Sequence, residues 1–199
     1  MAITFQYNKT SLQRMEKQLK VRRNALPILK NKEAALRVEV KKAKKQAEAM
    51  DRRLRASMDE HADIAHLWDR FDFDLLRVKD VTLDVRKIAG VKTPVLDTVD
   101  FDRRPFLLFN RPAWYADMRA LLEEWTELVL KRKLLWRRME LLEQARKKTT
   151  QKVNLYEKVQ IPDYEDAIRK IKRYLEDEEN LAKAAQKIVK KRKEESTGL

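Results

Sequence analysis

Cysteine is absent from this 199-residue chain. That excludes disulfides and thiolate metal sites and fits a reducing compartment. Glycine occurs twice and histidine twice. Two glycines cannot build a phosphate-cradling loop. His61 and His66 stand five residues apart, whereas a helical metal pair needs a spacing of four so that both rings share a face. Asp59, Glu60 and Asp63 nearby read as an ordinary polar helix face. No apolar run approaches the ~20 residues that a membrane span requires. The opening Met1-Ala2-Ile3-Thr4-Phe5-Gln6 lacks the basic-then-apolar layout of a secretory leader. The expectation is an intracellular chain with no direct membrane insertion, no catalytic constellation, no metal site and no cofactor.

What is abundant is charge. Charged residues make up 39% of the chain and prolines number five, against the roughly 25% charge of an ordinary globular domain. High charge with few breakers is the composition of long helices. Hydrophobic residues still reach 43%, so there is apolar surface to bury. Lysine and arginine total 46 against 32 acidic residues, a net charge of +14. Such a chain calls for an acidic partner: nucleic acid, an anionic membrane or an acidic protein surface.

The N-terminal third carries a heptad seam. Alternate steps of three and four from Leu12 reach Met15, Leu19, Arg22, Leu26, Leu29, Glu33, Leu36, Val40, Ala43, Ala47, Met50 and Leu54. Only Arg22 and Glu33 are charged. A stripe this narrow and this long asks for a partner helix along its whole length. Beyond Leu54 the register shifts through Met58, Ala62, Ile64, Ala65, Leu67, Trp68 and Phe71, and the helix is expected to meet more than one neighbour. From Asn8 to about Leu76 the helical rise predicts a rod on the order of 100 Å. Pro27 costs about 3 kcal/mol inside a helix; the heptads keep step on both sides of it, so it predicts a kink and not a break.

The middle alternates with period two. Val81-Thr82-Leu83-Asp84-Val85, Ile88-Ala89-Gly90-Val91, Thr93-Pro94-Val95-Leu96 and Thr98-Val99-Asp100-Phe101 predict a β-hairpin or small meander. A lone hairpin is marginal in water, so it should lean on the widened end of the helices. Arg103 to Phe109 form the return connection. Asn110 caps a second helix with Pro112 in its first turn. That helix shows Leu121, Trp125, Leu128, Leu135, Met139 and Leu142, then Val153 and Tyr156, then a new register at Ile161, Tyr164, Ile168, Ile171, Leu175, Glu178, Ala182, Ala185 and Val189. Val153 to Ile161 is eight residues, one more than a heptad, with Pro162 at the slip. A kink is preferred there, a break being the rival.

The fold expected is therefore mainly α: a long antiparallel two-helix coiled coil of the N- and C-terminal helices with a small β-hairpin insertion. Residues 1–77 give the first helix, 78–110 the hairpin and connection, and 111–199 the second helix, all in one elongated domain. The seam is assigned to Leu12, Met15, Leu19, Leu26, Leu29, Leu36, Val40, Ile168, Ile171, Leu175 and Ala185. Trp68, Trp114, Trp125 and Trp136 read as packing groups. The basic runs Lys41-Lys42-Ala43-Lys44-Lys45 and Lys190 to Lys193 read as solvated faces. Lysine and arginine spread around the helices and alternate with acids, which disfavours a nucleic-acid-binding coiled coil; a membrane-surface scaffold is the other rival.

Three segments together resemble one family, the D subunit of the V/A-type rotary ATPases. The first begins Lys9-Thr10-Ser11-Leu12 and continues to Leu29-Lys30-Asn31-Lys32. The second is Gly90-Val91-Lys92-Thr93-Pro94. The third is Val153-Asn154-Leu155-Tyr156-Glu157 followed by Ile161-Pro162. Pro27 and Leu155 depart from the family pattern and point to a divergent, bacterial branch. The resemblance implies a non-catalytic rotor shaft at the cytoplasmic face of the membrane. Its partners would be the ring of catalytic and regulatory nucleotide-binding subunits, the small F subunit of the stalk and the collar subunit that links to the membrane rotor.

Overall fold

Asn8 opens the first helix. Its side-chain oxygen accepts from the Ser11 amide at 2.7 Å, satisfying one of the donors that a helix start leaves orphaned. In the computed structural model, which describes residues 4–105 and 111–197, helix α1 then runs Lys9–Glu60. Pro27 lies inside it, exposed, and does not break it.

Helix α1 stops at Glu60, short of the expected Leu76. The residues assigned to its widened end form a 3-10 run, Ala62–Arg70, and a short 3-10 turn, Phe73–Leu75. The reason is tertiary: Ile64, Leu67 and Trp68 pack against buried Phe71, Leu75, Tyr115 and Met118, whereas their local spacing would suit an α-helix equally.

Strands β1 (Leu76–Ile88) and β2 (Val91–Arg103) form a two-stranded antiparallel hairpin. Its loop is Ala89-Gly90, with φ of 49° and 81°. Two positive φ values give the turn whose twist matches that of the flanking strands. Lys79 on β1 and Asp97 on β2 are left without partners at two register shifts, so each strand carries one extra residue. The turn does not lean on the widened end. Ile88, Ala89 and Val91 pack on Leu36, Ala43 and Leu142, while the base is tied by Arg103 to Glu123 at 2.8 and 2.9 Å. The return connection over Phe106 to Phe109 and the Asn110 cap lie outside the described residues. Helix α2 spans Trp114–Leu155; Pro112 sits just ahead of it, its carbonyl accepting from the Tyr115 amide at 3.1 Å.

A five-residue π-helical turn, Tyr156–Gln160, joins α2 to α3, which runs Ile161–Thr197. The Ile161 amide reaches back to the Tyr156 carbonyl, five residues instead of four. A π-turn inserts one residue into a helix. It absorbs the eight-residue step seen in the sequence, and its wider turn gives the Pro162 ring room that an α-turn would deny it. The chain neither breaks nor restarts there.

By contacts the chain divides into two compact units, Met1–Asn31 with Thr149–Leu199, and Lys32–Lys148. In the first, Met15, Ile168 and Ile171 are buried with Phe5, Leu12, Leu19, Tyr164 and Leu175 around them. In the second, Leu36, Ala43 and Leu142 form one cluster, and Leu54, Trp125 and Leu128 another, flanked by Met50, Trp68 and Leu121.

Candidate functional site

Among the described residues no group of three or more His, Asp or Glu gathers that could hold a metal. His61 and His66 each place Nδ1 2.8 Å from a backbone carbonyl, of Ser57 and Asp63 respectively. The feature that organises side chains in both units is the seam between antiparallel helices.

In the first unit, Glu16 pairs with Lys172 at 2.9 Å, Arg23 with Glu165 at 2.6 Å and Lys30 with Glu157 at 2.6 Å. As one number rises the other falls, which is antiparallel pairing. These pairs are solvent-exposed and each contributes at most about 1 kcal/mol; the apolar core beneath them holds the helices together. Leu26 and Leu29 are half-buried. Ala185 is not in the seam. Every residue from Glu176 to Lys193 is exposed, because α1 begins only at Lys9, which lies beside Glu179 and Ala182. Heptad spacing continues past the point where a facing helix exists.

Arg22, charged at a seam position, is half-buried and well partnered. Its Nε donates to Gln160 at 2.7 Å and its Nη1 to the side chain of Gln18 at 2.6 Å. Its guanidinium carbon lies 4.5 Å from the Tyr164 ring centre and 5.9 Å from that of Tyr156, within cation–π range.

In the second unit the seam charge is Glu33, which meets Arg37 at 3.0 Å and Arg146 at 3.8 Å. Arg146 also grips Glu143 through two bonds of 2.8 and 2.6 Å, and that hydrogen bonding holds the Glu143 carboxyl below its ordinary range. Asp51 takes a hydrogen bond from Arg132 and one of 3.1 Å from the Trp136 indole. The Arg132 bond, more than any other influence, lowers its pKa. Trp125 donates to Ser57 at 2.9 Å and stacks on Trp68 at 5.1 Å. Asp51 and Ser57 were missed in the sequence; the signal was that an indole N–H needs an acceptor when its ring is buried. Leu36 and Val40 lie in the cluster beneath the hairpin turn.

The residues of the three recognised segments fall on structural joints. Lys9 and Thr10 form the first turn of α1. Gly90 and Val91 make the hairpin turn, and Pro94 faces Val85 across the strands. Val153 is buried at the end of α2 and Asn154 beside it is exposed. Glu157 lies in the π-turn, and Ile161 and Pro162 open α3. Lys41, Lys42, Lys44 and Lys45 are exposed on α1. No helix among the described residues is long and apolar enough to cross a membrane.

The family of the ATP synthase D subunit matches residues 11–191. The V-type ATP synthase D subunit of Borreliella burgdorferi is 30% identical over 185 residues, covering 92% of this chain and 91% of that protein. The V-type ATP synthase D subunits of Chlamydia caviae and Chlamydia muridarum are 26% and 28% identical, each covering at least 84% of both chains. A match of this extent, on a helix–hairpin–helix chain whose recognised segments sit at its turns and joints, shows that the chain belongs to the ATP synthase D subunit family.

Proposed function

We propose that this chain is the central-stalk rotor shaft of a V/A-type rotary ATPase. It carries torque between the nucleotide-binding ring and the membrane ion-translocating rotor, and performs no catalysis itself. Its partners in this reading are the catalytic and regulatory ring subunits, the small F subunit of the stalk and the collar subunit, at the cytoplasmic face of the membrane. Family membership sets the complex; the observation that favours the shaft within it is the seam. Both charges that interrupt the heptads of the N-terminal helix, Arg22 and Glu33, find partners across the helix pair, so neither must be turned out to solvent by twisting. Two helices locked by interdigitating side chains resist torsion better than one. The +14 charge supplies long-range attraction to an acidic or carbonyl-rich sleeve without demanding one fixed angle.

Affinity purification of the tagged chain from its native host, followed by native mass spectrometry, tests this. The nucleotide-binding ring subunits and a small globular stalk partner should be recovered with it. Recovery of neither sinks the proposal. Complexes lacking the chain should not couple ATP hydrolysis to ion movement.

A further inference from the structure

The one-residue surplus between Val153 and Ile161 must be housed somewhere on the second helix, and the structure houses it at Tyr156–Gln160. Sliding such an insertion by a turn along a purely aliphatic seam costs less, because Leu, Ile and Val side chains of similar volume substitute for one another in packing. Arg22 is different in kind. It touches Tyr156, Gln160 and Tyr164 together. These three are spaced by four residues: one opens the π-turn, one closes it and one lies a turn beyond. Moving the insertion past any of them rotates that residue away from Arg22 by about 100°. It would also strip a half-buried guanidinium of a charged hydrogen bond or a ring face.

We infer that Arg22 is the positioning residue that pins the π-turn between Tyr156 and Gln160, and so fixes the register of α1 against α3. A single polar group in an apolar helix seam is known to specify register at some expense of stability. Gln18, one turn earlier on α1, holds the guanidinium at 2.6 Å through its side chain and 3.1 Å through its carbonyl. The planar fork is thereby aimed across the pair. Lysine has neither the fork nor the stacking plane and would not replace it. Pro162 is the competing cause, since a missing N–H and a bulky ring also favour a widened turn just before it.

The absence of cysteine makes the test direct on the full-length chain. Lys30 and Glu157 pair on one side of the turn, and Arg23 and Glu165 on the other. In the parent background K30C/E157C and R23C/E165C should cross-link with a short bis-maleimide. K30C/K158C, which reports a one-residue slip, should give at least about tenfold less product, the discrimination one charged hydrogen bond supplies. In Arg22→Leu the E157C and K158C yields should converge, or the R23C/E165C product should fall, with helical circular dichroism retained. Arg22→Lys should behave like Arg22→Leu, and Pro162→Ala like the parent. Should Arg22→Leu fail to fold, Arg22→Lys alone decides. The inference is overturned if the Arg22 variants melt lower yet keep the parent cross-link pattern, or if Pro162→Ala scrambles it while they do not. Because the readout is the register of the isolated chain, it stands or falls separately from the rotor reading.

Discussion

Leu142 is the place where the packing can be tested most sharply. It is 0% exposed and lies with Leu36 and Ala43 of α1 beneath Ile88, Ala89 and Val91 of the hairpin turn. One side chain therefore joins three elements. Leu142→Ala removes three buried carbons, roughly 2.4 kcal/mol of transfer free energy at about 0.8 per group. The void left behind adds to this, and buried leucine truncations span about 2.7–5.0 kcal/mol. A two-helix core can collapse partway, and alanine returns a few tenths through helix propensity, so about 3 kcal/mol is expected. All four tryptophans, at positions 68, 114, 125 and 136, lie within Lys32–Lys148. Urea unfolding followed by tryptophan fluorescence therefore reads the unit that contains Leu142. The control is Val38→Ala, at a site 64% exposed in the same unit, which should change stability by less than about 0.5 kcal/mol. A Leu142→Ala loss below about 1 kcal/mol with an unchanged denaturant slope would refute the reasoning.

The hairpin turn and the acid limb of stability give two further expectations. Gly90→Ala should cost about 1–2 kcal/mol in urea melts, the left-handed backbone penalty of a residue with a Cβ, because the added methyl would meet only Lys32 Nζ at 3.7 Å; no measurable loss would mean the turn does not hold φ at 81°. Asp51, Glu123 and Glu143 are each held below their ordinary values of 3.8, 4.5 and 4.5, first by hydrogen bonds from Arg132, Arg103 and Arg146. A depressed carboxylate pKa gives stability that is complete above the ordinary value and lost as pH falls through the folded one. The melting temperature should therefore show no loss from these groups above about pH 5 and should drop below pH 4.5. Asp51→Asn should remove part of that drop, and an unchanged acid limb in this variant would count against the Asp51 assignment.

Periodicity was enough to find the helices, the hairpin and the place of the slip, since each follows from local chain geometry. The heptads from Leu12 to Leu54 demand a long helix with a partner, and the eight-residue step from Val153 to Ile161 demands one surplus residue wherever it is stored. The two charged seam positions of the N-terminal helix, Arg22 and Glu33, could also be read directly. Ala185 shows the limit of that reading. Its spacing is as good as that of Ile171, but a seam needs a facing helix, and α1 begins at Lys9.

Tertiary structure decided what local pattern leaves open. The surplus residue is stored as a π-turn at Tyr156–Gln160, where Arg22, reaching from a segment more than 130 positions away in sequence, meets Tyr156, Gln160 and Tyr164. Beyond Glu60 the chain tightened into a 3-10 run because Ile64, Leu67 and Phe71 had to reach Tyr115 and Met118. The hairpin turn settled on Leu36, Ala43 and Leu142 instead of at the widened end because that is where Ile88 and Val91 find buried apolar neighbours. Sequence sets which residues must be covered; only the folded chain determines what covers them, because burial is shared between segments that no local window contains together.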